Sequence, residues 1–205
     1  MLRSGEFKFE SSLANKYKRQ QSNCFNKYYN QTVSNPFFLT RQTANLMEDF
    51  ARELKEGSSL FLLYGEDGVG KTRLLEELGH ARLAGREIFW LDLDSGDQGG
   101  ETRMDRSTEV EALFATAGNG DIIIADHFEA ALKKTRHQLF LSWSTDGIDK
   151  QLNLIIASNI EGFNELRQLS QQYQVRVESF QQMPFSDDEV RSFLSFYLFP
   201  NNPVG

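Results

Sequence analysis

Gly65-Glu66-Asp67-Gly68-Val69-Gly70-Lys71-Thr72 lies between an apolar run, Leu60-Phe61-Leu62-Leu63-Tyr64, and a stretch of helical periodicity that begins at Lys71. Strand, glycine-rich turn, helix is the order in which a phosphate-binding loop works. The glycines let the backbone turn so that successive N–H groups face phosphate oxygens, the lysine reaches the β- and γ-phosphates, and the threonine hydroxyl ligates Mg²⁺. The octapeptide therefore predicts a P-loop, with Gly65 to Thr72 on the nucleotide and Thr72 on its metal.

Outward from that loop, strands alternate with helices. Before it, Ala44, Met47, Phe50, Ala51 and Leu54 recur at helical spacing from Thr40 to Glu56, with Gly57 as a C-cap. After it, Leu74, Leu75, Leu78, Ala81 and Leu83 continue a helix towards Gly85, and Glu87 to Leu93 reads as a strand. Residues 94–105 read as a loop on the ligand side, and Val110, Leu113 and Phe114 mark a short helix that Gly118 and Gly120 end. Asp121-Ile122-Ile123-Ile124-Ala125-Asp126 has the look of a strand buried on both faces of a parallel sheet. A helix carrying Phe128, Leu132, Leu139 and Trp143 follows, then a second buried strand from Leu152 to Ser158, a helix over Phe163 to Leu169, and a strand over Gln174 to Phe180. Ser186-Asp187-Asp188-Glu189 has capping-box spacing ahead of Val190, Phe193, Leu194 and Tyr197. The expected architecture is a three-layer α/β/α domain around a mainly parallel five-stranded sheet.

Composition limits the alternatives. A chain of 205 residues with 40% apolar content supports one core rather than two full domains. The single Cys24 excludes an internal disulfide or a cysteine-based zinc site and suits a reducing compartment. No segment reaches the ~20 apolar residues of a membrane span, and Met1 to Glu10 mixes charges instead of forming an apolar signal core. A cytoplasmic protein is expected, any membrane attachment being supplied by a region beyond this chain. Residues 1–47 carry seven Lys/Arg against Glu6 and Glu10, a balance of +5, which leaves −12 for the rest of a chain whose net charge is −7. Residues 1–34 are expected to be a polar, flexible leader. Its Lys16, Lys18, Arg19 and Lys27 interleave with Tyr17, Phe25, Tyr28 and Tyr29, a mixture that could instead bind a phosphate backbone or lipid surface. Lys133, Lys134, Arg136 and His137 read as a solvated basic helix face, and His80 and His137 as helix-surface residues.

Two further positions carry the expected chemistry. Asp126 ends a buried strand some fifty residues beyond the P-loop, where an acid can hold Mg²⁺ directly or through water. Ser158 and Asn159 arrive at the same sheet edge, where ligands of open α/β sheets gather; Ser158 is the expected contact to the γ-phosphate or the attacking water, and either residue could cap the next helix.

The order of P-loop, Asp-terminated strand, polar-tipped strand and a final strand running into Pro184-Phe185-Ser186-Asp187-Asp188-Glu189-Val190 resembles the AAA+ ATPases. Within them it is most similar to the general secretion protein A type and its relatives in pilus, cell-envelope and division systems. Asn35-Pro36-Phe37, Leu166-Arg167-Gln168-Leu169 and Val175-Arg176-Val177 carry that likeness, which spans about residues 35–198. It implies ATP and Mg²⁺ as cofactors, a core over residues 35–185, the start of a helical lid over 186–205, homo-oligomerisation, and protein partners in an envelope, secretion or division assembly. It also implies catalytic roles at Lys71, Asp126, the residue after it, and Ser158. Three departures qualify this. The usual Glu after the acid is His127, Gln171-Gln172-Tyr173 stands where an arginine reaching a neighbour's γ-phosphate is common, and the sequence ends soon after the first lid helix, so the lid is truncated or absent. Neutral imidazole accepts a proton but does not reproduce carboxylate geometry, so hydrolysis is expected to be slow. Glu129 lies two residues beyond His127 and is not expected to substitute. The expectation is thus an ATP-binding domain with slow turnover whose nucleotide state controls assembly. The alternatives are a scaffold that binds ATP without hydrolysis, a DNA-associated ATPase helper and, last, a small-molecule kinase.

Overall fold

The computed structural model describes residues 40–54, 59–81, 86–94 and 105–198. Five strands, β1 (Ser59–Tyr64), β2 (Ile88–Asp92), β3 (Ile122–Asp126), β4 (Asn153–Ser158) and β5 (Val177–Gln181), form one sheet in the order β2-β3-β4-β1-β5, and every adjacent pair is parallel. Among the described residues the α-helices are α1 (Arg41–Glu53), α2 (Lys71–Ala81), α3 (Ser107–Thr116), α4 (Lys133–Ser142), α5 (Ile160–Gln172) and α6 (Asp187–Leu198). The leader, the stretch around Gly57 and Gly85, and most of the loop expected between β2 and α3 lie outside the described residues.

Strand alternation divides the core into two clusters. Leu60 and Leu62 of β1, Ile123 and Ala125 of β3, and Leu154 and Ile156 of β4 pack against Val110 and Phe114 of α3, Leu139 and Phe140 of α4, and Leu166 and Leu169 of α5. The alternate residues, Phe61 and Leu63, Ile122 and Ile124, and Ile155 and Ala157, meet Met47 and Phe50 of α1 and Leu74, Leu75 and Leu78 of α2. Helices therefore cover both faces, which is why β3 from Ile122 to Ala125 and β4 from Leu154 to Ala157 are apolar without interruption. Each fully buried side chain of this size contributes about 1.5–3 kcal/mol. The three layers and five strands match the sequence expectation. Because all strands are parallel, the C-terminal tips of β1, β3 and β4 share one edge, with β4 between the other two.

Local chemistry sets the helix ends. Thr40 caps α1 through Thr43 N (3.1 Å). The Ser186 box closes as its spacing implies: Glu189 Oε2 accepts from Ser186 N at 2.9 Å, and Ser186 Oγ accepts from Glu189 N at 3.3 Å. Three expected boundaries shift. The single helix expected from Phe128 to Trp143 is a 3₁₀ turn (Phe128–Ala130), then α4, then a π turn (Trp143–Gly147). The break begins at His127, whose φ of 55° is left-handed, and the extended Leu132 keeps turn and helix apart. A Cβ at residue 147 would lie 2.6 Å from the Trp143 ring, so the π turn needs glycine there. Helix α5 runs on to Gln172, and β5 starts at Val177 rather than Gln174, because Gln174 turns the chain at φ 54°. In the run from Lys133 to His137 the two lysines are exposed, as a solvated face requires, but Arg136 and His137 are not free. Lys134 pairs with Asp105 (2.9 Å), His137 Nδ1 bonds the Tyr173 hydroxyl (3.3 Å), and Arg136 is turned inward.

Candidate nucleotide site

Between Tyr64 and Lys71 the loop takes the conformations its glycines permit: Gly68 and Gly70 sit at φ 80° and 92°, a region that other L-residues enter at a cost. Gly65 has a different reason. Any Cβ there would overlap the Gln182 carbonyl oxygen, since the chain leaving β5 packs directly on the start of the loop, with Gln182 N donating to Tyr64 O at 2.7 Å. Lys71 opens α2 and donates to the Gly65 and Glu66 carbonyls (3.1 and 2.8 Å), which holds its ammonium against the loop. Glu66, Asp67, Gly68 and Gly70 are exposed and Val69 is half-buried.

Beside the loop stands the acid. In β3, Asp126 falls with Ile122 and Ile124 on the α2 face, and its Oδ2 accepts from Thr72 Oγ1 at 2.7 Å. Its other oxygen takes the His127 N–H at 2.9 Å. Two hard oxygen donors on one spot, one of them anionic, fit Mg²⁺, which commonly takes one or two protein oxygens together with substrate phosphates. Among the described residues no group of three or more His, Cys, Asp or Glu forms a metal cage on its own.

The ring of His127 is not free. Its left-handed backbone swings the ring towards β2, where Nδ1 lies 3.0 Å from Asp92 Oδ1. Asp92 pairs in register with Asp126 and also accepts from Asp94 N at 3.0 Å. Burial presses the imidazole pKa down, but the Asp126 charge, the Asp92 hydrogen bond and charge, and the Glu129 charge together outweigh it, so the ring titrates above its ordinary 6.5.

Ser158 is where the structure departs most from expectation. It alternates with Leu154 and Ile156, on the face away from α2, and it is fully buried. Its hydroxyl donates to Glu129 Oε2 at 3.1 Å, and it occupies space that a Cβ at Gly162 would overlap. Asn159, one residue on, is half-exposed and caps α5: Oδ1 accepts from Gly162 N at 2.9 Å. The same Glu129 oxygen also accepts Asn159 N at 3.1 Å. Glu129 reaches the tip of β4 because the turn at His127 and the 3₁₀ turn carry it there, and Arg136 fixes that turn through Ala131 O (2.9 Å), Glu129 O (2.8 Å), an ion pair to Glu165 and the Phe128 ring.

Of the residues expected at the site, Thr72 and Asp126 are in contact and Lys71 lies against its own loop, while Asp92, Glu129 and Arg136, to which the sequence assigned no part in the site, stand beside the tips of β3 and β4. Asp92 had one legible signal: it is the acid that ends the strand beside β3. Glu129 and Arg136 had none, because their positions depend on the turn at a non-glycine residue. Of the arginines near the end of α5, Arg167 is exposed over the Phe163 ring at 5.8 Å, and Arg176 pairs with Glu178 at 2.6 Å.

No protein-family model matches the chain, and no curated protein matches it. Among solved structures it is similar to two mutant forms of RuvB from Thermotoga maritima, with TM-scores of 0.50 and 0.52 at 17% and 15% identity. The matches cover 75% and 78% of this chain but 48% and 50% of those, so the chain spans about half their length. At such identity the likeness is one of fold: a parallel five-stranded sheet with helices on both faces.

Proposed function

We propose that this domain binds ATP with Mg²⁺ between the Gly65–Thr72 loop and Asp126, and turns it over slowly. The observation that carries the reading is the 2.7 Å bond from Thr72 to Asp126, which joins the helix behind the loop to the tip of a strand two positions away in the sheet. Loop amides and Lys71 would hold the phosphates. Thr72 and Asp126 would hold the metal, which when bound neutralises charge on the β- and γ-phosphates. Asn159, on the exposed side of the β4 tip, replaces Ser158 as the side chain facing the γ-phosphate. Its Oδ1 is taken by Gly162 N–H, which leaves the amide hydrogens as the donors it can offer a phosphate oxygen.

His127 favours a second reading, a nucleotide-gated scaffold without turnover, because its ring is tied to Asp92 instead of presenting a free base. Control of association with envelope, secretion or division partners rests on the sequence resemblance to the general secretion protein A type, and homo-oligomerisation on its wider AAA+ likeness. A DNA-associated role rests on the basic leader and predicts salt-dependent DNA binding that disappears when residues 1–34 are deleted.

Calorimetry with ATP and magnesium, run beside a phosphate-release assay, tests the reading. Binding that Lys71→Ala abolishes, with slow release of phosphate that His127→Glu accelerates, is the expected result. Binding without turnover, unchanged by His127→Glu, selects the scaffold, and no heat with ATP removes both.

A further inference from the structure

Glu129 is the acid that neither the P-loop nor the metal site uses, and its contacts decide what the tip of β4 can offer a ligand. We propose that Glu129 is a positioning residue that makes Asn159, and not Ser158, the reader of the γ-phosphate; the proposal rests on the ATP-binding reading above.

The argument is one of donors and acceptors. A serine hydroxyl has a single hydrogen, and that of Ser158 goes to Glu129 Oε2 at 3.1 Å, inside a space closed by Gly162. Phosphate oxygens at neutral pH are acceptors, so a serine whose hydrogen is already committed to a carboxylate has nothing to give them. The same oxygen takes the backbone N–H of Asn159 at 3.1 Å, which pins the residue at the point where strand becomes helix. With Asn159 Oδ1 held by Gly162 N, backbone and side chain of Asn159 are both fixed, and its amide NH₂ is the side-chain group that remains to donate. Glu129 can do this because it is itself held: Arg136 bonds its carbonyl at 2.8 Å and that of Ala131 at 2.9 Å, and the guanidinium lies 5.3 Å from the centre of the Phe128 ring. One carboxylate oxygen thus assigns roles to two adjacent residues, silencing one and orienting the other.

A residue that orients a γ-phosphate contact must affect ATP and spare ADP, whereas one that merely supports the fold affects both alike. The test measures affinities of the full chain for ATP and ADP, each with magnesium, for wild type and the variants Glu129→Ala, Glu129→Asp, Glu129→Gln, Asn159→Ala and Ser158→Ala. Loss of a hydrogen bond to a charged group corresponds to a factor of about ten or more. Glu129→Ala and Asn159→Ala should each weaken ATP binding about tenfold while ADP stays within about twofold, and the double variant should lose little more than either alone. Glu129→Gln keeps an acceptor oxygen and should stay near wild type. Glu129→Asp, one methylene short of both donors, should lose ATP preference and serves as the second probe if the alanine variant does not fold. Ser158→Ala should leave the preference intact. A wild-type chain that binds neither nucleotide overturns the ATP-binding reading and this proposal together. Three results overturn the proposal alone: a wild type without ATP preference, a preference that survives Glu129→Ala or Glu129→Asp, or one that Ser158→Ala abolishes and Asn159→Ala does not.

Discussion

Thr72 and Asp126 are 54 positions apart in sequence, yet the threonine hydroxyl donates to the aspartate at 2.7 Å. The contact needs three things at once: a parallel sheet that brings the tips of β1 and β3 to one edge, α2 on the face that Asp126 shares, and a loop that starts α2 beside that tip. None of the three is local. Their agreement makes the pair a metal-site candidate rather than a chance neighbour.

The pair predicts a magnesium-specific loss. Asp126→Asn keeps shape and most of the burial while removing the anionic ligand, and Thr72→Val removes the hydroxyl. Each should weaken ATP binding in magnesium by about tenfold or more, the scale of a hydrogen bond or ligand to a charged partner. Binding in excess chelator should change little. Titration calorimetry in the two buffers measures the difference, and an equal loss in both would mean that the pair supports the loop and not the metal.

How much of this was legible depends on how local each cause is. The strands were readable because central parallel strands are apolar throughout, and β3 and β4 show it from Ile122 to Ala125 and from Leu154 to Ala157. The glycine-rich turn after β1 was readable because glycines answer to backbone conformation, and Gly68 and Gly70 sit at positive φ. Which face of β4 bears Ser158 was not readable by eye from an unbroken apolar run, since such a run carries no alternation; register against Tyr64 and packing on α5 decide it. The turn at His127 was invisible for another reason: a histidine at φ 55° contradicts its own propensity; partners from β2 and β3 hold it, and Arg136 of α4 holds the Glu129 carbonyl two residues on.

That histidine predicts a pH dependence of stability with a definite sign. Its pKa is raised in the folded chain, with burial opposing and Asp126, Asp92 and Glu129 prevailing. The unfolded value is the ordinary 6.5. A raised folded pKa means that the stabilisation is fully present below the unfolded value and is lost as pH rises through the folded one. Urea midpoints should therefore fall from about pH 6 to about pH 9 in wild type by more than in His127→Asn, because asparagine tolerates the left-handed backbone without the charge. Asp92→Asn should flatten the profile in the same direction. Parallel profiles for wild type and His127→Asn would show that the imidazole contributes nothing to stability across this range.

Arg136 gives the sharpest stability prediction. Its guanidinium serves the Ala131 and Glu129 carbonyls and the Glu165 carboxylate, and its side chain is only 13% exposed. Truncation would leave a half-buried carboxylate and two carbonyls without their donor, a loss of about 3 kcal/mol, the scale seen when one partner of a buried pair is removed. Arg136→Lys should recover little of it, because an ammonium cannot span three acceptors that a planar fork reaches together. The loss should also loosen the turn that carries Glu129, so in Arg136→Lys the preference for ATP over ADP should shrink along with the urea midpoint. A variant that is as stable as wild type, or destabilised with its nucleotide preference unchanged, would separate the turn from the tip of β4.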